Sequence, residues 1–116
     1  MVLALLEREF TYNYIGTGGV GIKCETNAAN EIKDVSVTGN KVFGTQYGLA
    51  AHKNTKKWVL SNNHFYGSGD SESVGVVIGD SSNGYFTIMG NFFENFNTIK
   101  LHPSGKSIIY VYNQEL

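Results

Sequence analysis

The chain predicts an all-β parallel solenoid, and three observations lead to that fold class. The first is a repeat. An apolar-x-x-Asn pattern recurs at Phe10-Thr11-Tyr12-Asn13, Val37-Thr38-Gly39-Asn40, Leu60-Ser61-Asn62-Asn63 and Ile88-Met89-Gly90-Asn91, at intervals of 27, 23 and 28 residues. A fifth copy, Val111-Tyr112-Asn113-Gln114, follows 23 residues later with Gln in the Asn slot. The second observation is an interleaved motif. Gly21-Ile22-Lys23-Cys24, Gly48-Leu49-Ala50-Ala51 and Gly75-Val76-Val77-Ile78 lie 27 residues apart, and Thr98-Ile99-Lys100-Leu101 is a looser fourth copy. The third is composition. Fourteen Gly and twelve Asn in 116 residues, with one Pro, favour corners and short strands over helices.

Taken in chain order, residues 1–8 form a cap or docking segment. Met1-Val2-Leu3-Ala4-Leu5-Leu6 is apolar, but it is too short to span a membrane and lacks the layout of a secretory signal. Residues 9–116 form the solenoid domain of about five coils. Each coil holds two or three period-2 segments that cannot bury their apolar faces alone. Stacking coil on coil solves this by setting like residues ~4.8 Å apart in columns.

The expected core columns are Phe10/Val37/Leu60/Ile88/Val111, Ile15/Val42/Phe65/Phe93/Leu116, Ile22/Leu49/Val76/Ile99 and Cys24/Ala51/Ile78/Leu101. Val35, Trp58, Phe86 and Ile109 stand two places before the leading apolar positions. Asn13, Asn40, Asn63 and Asn91 form an internal amide ladder, each bonded to the Asn one coil away. Cys24, the single cysteine, falls in a core column and reads as a buried thiol. The far end of the stack shows no cap, and the outward residues Val59, Val77, Met89, Phe92, Tyr110 and Tyr112 offer an apolar surface for association.

These coils, with corners such as Val37-Thr38-Gly39-Asn40-Lys41-Val42-Phe43 and stacked Asn, resemble the right-handed parallel β-helix of the pectate-lyase-like superfamily. That superfamily includes pectin-active enzymes and the trimeric tailspikes of bacteriophages, and the chain looks most like the C-terminal part of a tailspike. The resemblance covers roughly residues 9–116 and supplies the handedness. It implies a polysaccharide- or host-surface-binding module acting as a homotrimer, on a virion tail or outside the cell. Two rival roles stay open: a glycoside hydrolase or polysaccharide lyase, and a trimerisation stalk without its own ligand.

Candidate site residues cluster after the third coil's Phe65, where a longer connection, Tyr66–Ser73, carries Asp70 and Glu72. Glu94 stands one coil on, level with Tyr66, and Phe92 and Phe96 lie nearby. Carboxylates accept hydroxyl hydrogen bonds and aromatic rings stack on sugar faces, so Tyr66, His64, Phe92 and Glu94 are the candidate carbohydrate-binding residues. Glycoside hydrolysis uses two carboxylates about 5.5 Å or ~6.5–9.5 Å apart, which makes Glu94 with Asp70 or Glu72 the candidate catalytic set. Glu25 beside His52, and Lys53 beside Asp80, read either as a polar groove or as surface ion pairs.

Other chemistry is discounted. Nine Lys and Arg against ten Asp and Glu, spread along the chain, give no positive field for nucleic acid. No membrane-spanning segment is expected. Gly16–Gly21 is glycine-rich but precedes no helix that could bind phosphate. Asp34, Asp70 and Asp80 fall in different columns, and no Cys/His cluster has zinc spacing, so neither a metal nor another cofactor is expected.

Overall fold

The computed structural model describes residues 9–16, 18–24, 32–53, 55–79, 84–102 and 107–116. The chain winds through β1 (Glu9–Thr11), β2 (Tyr14–Gly16) and β3 (Val20–Cys24), then β4 (Ile32–Thr38), β5 (Lys41–Thr45) and β6 (Tyr47–Ala51). It continues through β7 (Thr55–Ser61), β8 (His64–Gly67) and β9 (Val74–Ile78), then β10 (Phe86–Met89), β11 (Phe92–Glu94) and β12 (Thr98–Leu101). β13 (Ile108–Val111) and β14 (Gln114–Glu115) follow. Every third strand stacks on the one before. The first sheet runs β1-β4-β7-β10-β13, the second β2-β5-β8-β11-β14 and the third β3-β6-β9-β12. All pairings among the described residues are parallel, which makes the molecule a right-handed parallel β-solenoid. The buried core spans about 3 turns, from Ile22 in β3 to Phe93 in β11, rather than the five coils the repeat predicts. β1–β3 and β13–β14 supply the end rungs of the sheets.

Inside the tube like packs on like. Val37, Leu60 and Ile88 are successive register partners, as are Ile15, Val42, Phe65 and Phe93, and Ile22, Leu49 and Val76. Phe65 and Phe93 are fully buried and stack at 5.3 Å with their rings nearly parallel. Burying a side chain of this size stabilises by roughly 1.5–3 kcal/mol. The glycines preceding Leu49 and Val76 make room for these rings. A Cβ on Gly48 would sit 2.5 Å from the Gly75 carbonyl and 2.9 Å from the Phe65 ring. Gly75 stands in the same relation to the Ile99 carbonyl and the Phe93 ring.

Between the first and second sheets every coil makes the same corner. Its middle residue takes positive φ in all five copies: Tyr12, Gly39, Asn62, Gly90 and Tyr112. Left-handed backbone suits Gly and Asn and strains Tyr, so the two tyrosines stand only on the end rungs. The next residue is the ladder asparagine. Asn13, Asn40, Asn63 and Asn91 each donate through Nδ2 to the Oδ1 one coil on, at 2.9–3.0 Å. The same Oδ1 also accepts the backbone N–H of the donor residue. Asn40, Asn63 and Asn91 are buried, so these bonds satisfy polar groups that water cannot reach.

The last rung departs from the expected columns by one residue. Its ladder member is Asn113, and Gln114 pairs instead with Phe92. Consequently Tyr110 replaces Val111 opposite Ile88, Val111 moves opposite Met89, Ile108 replaces Ile109 opposite Phe86, and Glu115 replaces Leu116 opposite Phe93. The fourth amide bond of the ladder, Asn91 to Asn113, outweighs the preference for an aliphatic core residue, leaving Ile109 and Val111 exposed. Tyr110, expected outside, packs inward with its ring 6.3 Å from Phe93. The third sheet also slips. Lys100, not Ile99, is the partner of Val76, and Leu101 meets Val77 rather than Ile78. A step of seven residues separates both Val42 from Leu49 and Phe93 from Lys100, so the corner length sets this register.

These slips give the far end a cover that the sequence does not advertise. The Tyr110 hydroxyl donates to Glu115 Oε1 at 2.6 Å, and Lys100 Nζ lies 3.7 Å from the centre of the Tyr110 ring. A cation over a ring and a charged acceptor place polar groups over the last apolar layer. Burial, then the hydrogen bond to Glu115 and its charge, push the Tyr110 phenol well above its ordinary range. Residues 1–8, the expected cap at the other end, lie outside the described residues.

Candidate functional site

Strand periodicity sends the neighbours of each core residue outward, and on the second sheet those neighbours are aromatic. Tyr14, Lys41, His64 and Phe92 make one outward column, and Gly16, Phe43, Tyr66 and Glu94 make the next. Their rings form a continuous strip. Tyr14 stacks on Phe43 at 5.2 Å, Phe43 lies 5.4 Å from His64 and 5.9 Å from Tyr66, and His64 lies 5.7 Å from Phe92. The four residues predicted to bind carbohydrate, Tyr66, His64, Phe92 and Glu94, therefore meet on one face. Tyr14 and Phe43 complete the strip and were not among them. They occupy the same two outward columns one and two coils earlier, so extending the columns upward would have found them.

Glu94 lies at the edge of the strip with Oε1 3.3 Å from His64 Nε2. The contact has ion-pair reach but not hydrogen-bond geometry: His64 Nε2 is shielded from solvent without a hydrogen-bond partner. A half-exposed carboxylate and an imidazole thus stand among aromatic faces, with Lys41 exposed beside them. Such a surface can stack sugar rings and accept or donate hydroxyl hydrogen bonds at fixed positions. Because the rings ride on strands tied to the core, the surface is preorganised.

The candidate catalytic set draws on a second element. Asp70 and Glu72 lie on the connection between β8 and β9, whose exposed tip begins at Ser68. This connection is tied into the stack. Ser68 N–H donates to the Thr45 carbonyl, Gly69 N–H to the Asn95 carbonyl, and the buried Ser73 hydroxyl to the Asp70 carbonyl. The Asp70 carboxylate accepts from the Ser68 hydroxyl at 3.2 Å. No hydrogen bond or ion pair among the described residues joins Asp70 or Glu72 to Glu94, whose partner is His64. Phe96 packs edge-on against Phe93 in the core and does not join the strip.

Glu25 and Asp80 lie outside the described residues, so neither proposed pair, with His52 or with Lys53, can be placed. Cys24 is the register partner of Ala51. Among the described residues no group of three or more His, Cys, Asp or Glu is placed to hold a metal ion. No helix there is long and apolar enough to cross a membrane. No family model, no curated protein and no solved structure matches the chain.

Proposed function

We propose that the chain is a glycan-binding β-helix module, recognising a polysaccharide or host-surface glycan through the outer face of its second sheet. The observation that carries this reading is the unbroken strip of rings from Tyr14 through Phe43, His64 and Tyr66 to Phe92, with one carboxylate at its edge. Rings exposed in a row along rigid strands fit a linear chain of stacked pyranoses better than a compact ligand. The finer reading, a homotrimeric tailspike-like protein of a phage, rests on the resemblance of the coils and on apolar residues left outside the core.

The test is a printed panel of bacterial and plant polysaccharides probed with the native chain and with a Phe43→Ala/Tyr66→Ala double variant. Both substitutions lie outside the core, so the variant should keep its circular dichroism spectrum. The native chain should retain at least one glycan and the double variant should lose it. A native chain that retains none, or a variant that binds equally well, overturns the reading.

A further inference from the structure

The aromatic strip carries an ammonium and a carboxylate, and they stand apart. At the outward positions of β5, β8 and β11 the charge-bearing side chains are Lys41, His64 and Glu94. Glu94 has the His64 imidazole 3.3 Å away. Lys41 has no such company. It is exposed in the column between Tyr14 and His64, and among the described residues its ammonium meets neither a carboxylate nor a ring. Two other lysines near rings are engaged by them: Lys56 Nζ lies 5.3 Å from the centre of the Tyr85 ring, and Lys100 Nζ 3.7 Å from that of Tyr110. The strip thus holds a cation without a counter-charge two rungs from its carboxylate, roughly 10 Å along the stack.

We infer that the glycan laid along this strip is sparsely acidic: a sugar carboxylate seats at Lys41, and the residue two places along, at Glu94, is neutral. The inference rests on the proposed glycan-binding reading and names the class of glycan. A neutral sugar over Lys41 would strip water from the ammonium without replacing it. A sugar carboxylate instead accepts a charge-assisted hydrogen bond, which strengthens as the covering ligand excludes water. Glu94 imposes the opposite demand. It accepts hydrogen bonds from hydroxyls, and an acid set against it would meet like charge. The spacing turns the two demands into a pattern. A pyranose unit advances a glycan by about one rung, ~4.8 Å. Uronates on every residue, or on every second one, would therefore bring an acid against Glu94 whenever another sits at Lys41. Acids spaced more widely satisfy both groups at once.

The test measures binding of four probes by calorimetry to the native chain, Lys41→Gln and Glu94→Gln. The probes are oligosaccharides of deacylated gellan, which is linear with one uronate in each tetrasaccharide repeat, the same oligosaccharides after carboxyl reduction, hyaluronan with a uronate on every second residue, and polygalacturonate with one on every residue. The native chain should hold the gellan fragments at least roughly tenfold more tightly than their reduced form, and more tightly than either polyuronate. Lys41→Gln should erase the first preference and Glu94→Gln the second, with unchanged circular dichroism because both side chains lie outside the core. Equal affinity for the two gellan forms, a preference that survives Lys41→Gln, or no gellan binding by a chain that retains another glycan of the printed panel overturns the inference and leaves the glycan-binding reading standing. Hyaluronan or polygalacturonate held as tightly as gellan overturns the spacing. A chain that binds none of the four probes and no glycan of the panel overturns the glycan-binding reading itself.

Discussion

Phe65 and its neighbours His64 and Tyr66 are consecutive residues of one strand, yet they live under different rules. Phe65 is fully buried, aligned with Val42 above and Phe93 below, and fixed by a glycine column that leaves just enough room for its ring. His64 and Tyr66 face outward, where nothing in the packing requires an aromatic residue. Lys41 fills the place beside His64, and Glu94 the place beside Tyr66. The interior columns thus answer to stability, because a residue there must match its neighbours above and below. The exterior columns are free of that demand, so a run of rings on them reports on something outside the chain.

The sharpest way to break this division is to cut the inside. Phe65→Ala removes a ring stacked between coils and should cost about 4 kcal/mol, within the range for truncating a buried Phe. Urea denaturation will measure it, and a cost below about 1 kcal/mol would show that the core is not closely packed there. Asn63→Ala comes next. It leaves the Asn40 backbone N–H and the Val37 carbonyl without the partner each now has, and a loss of about 2–3 kcal/mol should follow. Asn13→Ala, on the exposed first rung, should cost less than half as much, and equal costs would contradict a ladder whose worth depends on burial.

On the outside the same substitutions should leave stability nearly unchanged and act on binding. Tyr66→Ala should weaken the retained glycan roughly 3- to 10-fold, the worth of one aromatic face, with a denaturation midpoint matching the native chain. A loss of stability without a loss of binding would reverse the division. The smallest effect belongs to the end cover. The Tyr110 phenol is raised above its ordinary value of 10.0, so the folded state favours its protonated form. That contribution is complete below pH 10.0 and declines as the pH rises further. Tyr110→Phe should flatten the decline seen by denaturation above that pH. An unchanged slope would mean that the hydroxyl contributes nothing there.

How far the sequence could be read follows the same boundary between inside and outside. The apolar and Asn columns of the middle coils were legible because each residue has a counterpart at the coil interval, and stacking makes that interval a physical requirement. Legibility failed at the last rung, where Val111 and Leu116 fitted the apolar pattern with Gln114 in the amide slot, but Asn113 could complete the ladder. Amide bonding decides that register, and apolar spacing alone cannot weigh it. The partner of Val76 was misread for a related reason: corner length, not hydrophobicity, puts Lys100 in register there, while Ile99 packs against the core as expected. The end cover of Tyr110, Glu115 and Lys100 is a consequence of both slips and could not be seen until they were. On the aromatic face, Tyr66, His64, Phe92 and Glu94 were found from local chemistry. Tyr14 and Phe43 were missed because their contribution appears only when outward columns are followed as carefully as inward ones.

The most direct test of the account is an NMR titration of the native chain with oligosaccharides released by mild acid from the polysaccharide it retains best. The account predicts saturable shifts of the His64, Tyr66 and Phe92 ring signals while the Ile109 methyl signals of the first sheet stay in place. Shifts confined to Ile109 and Val59, or none on the rings, would contradict it.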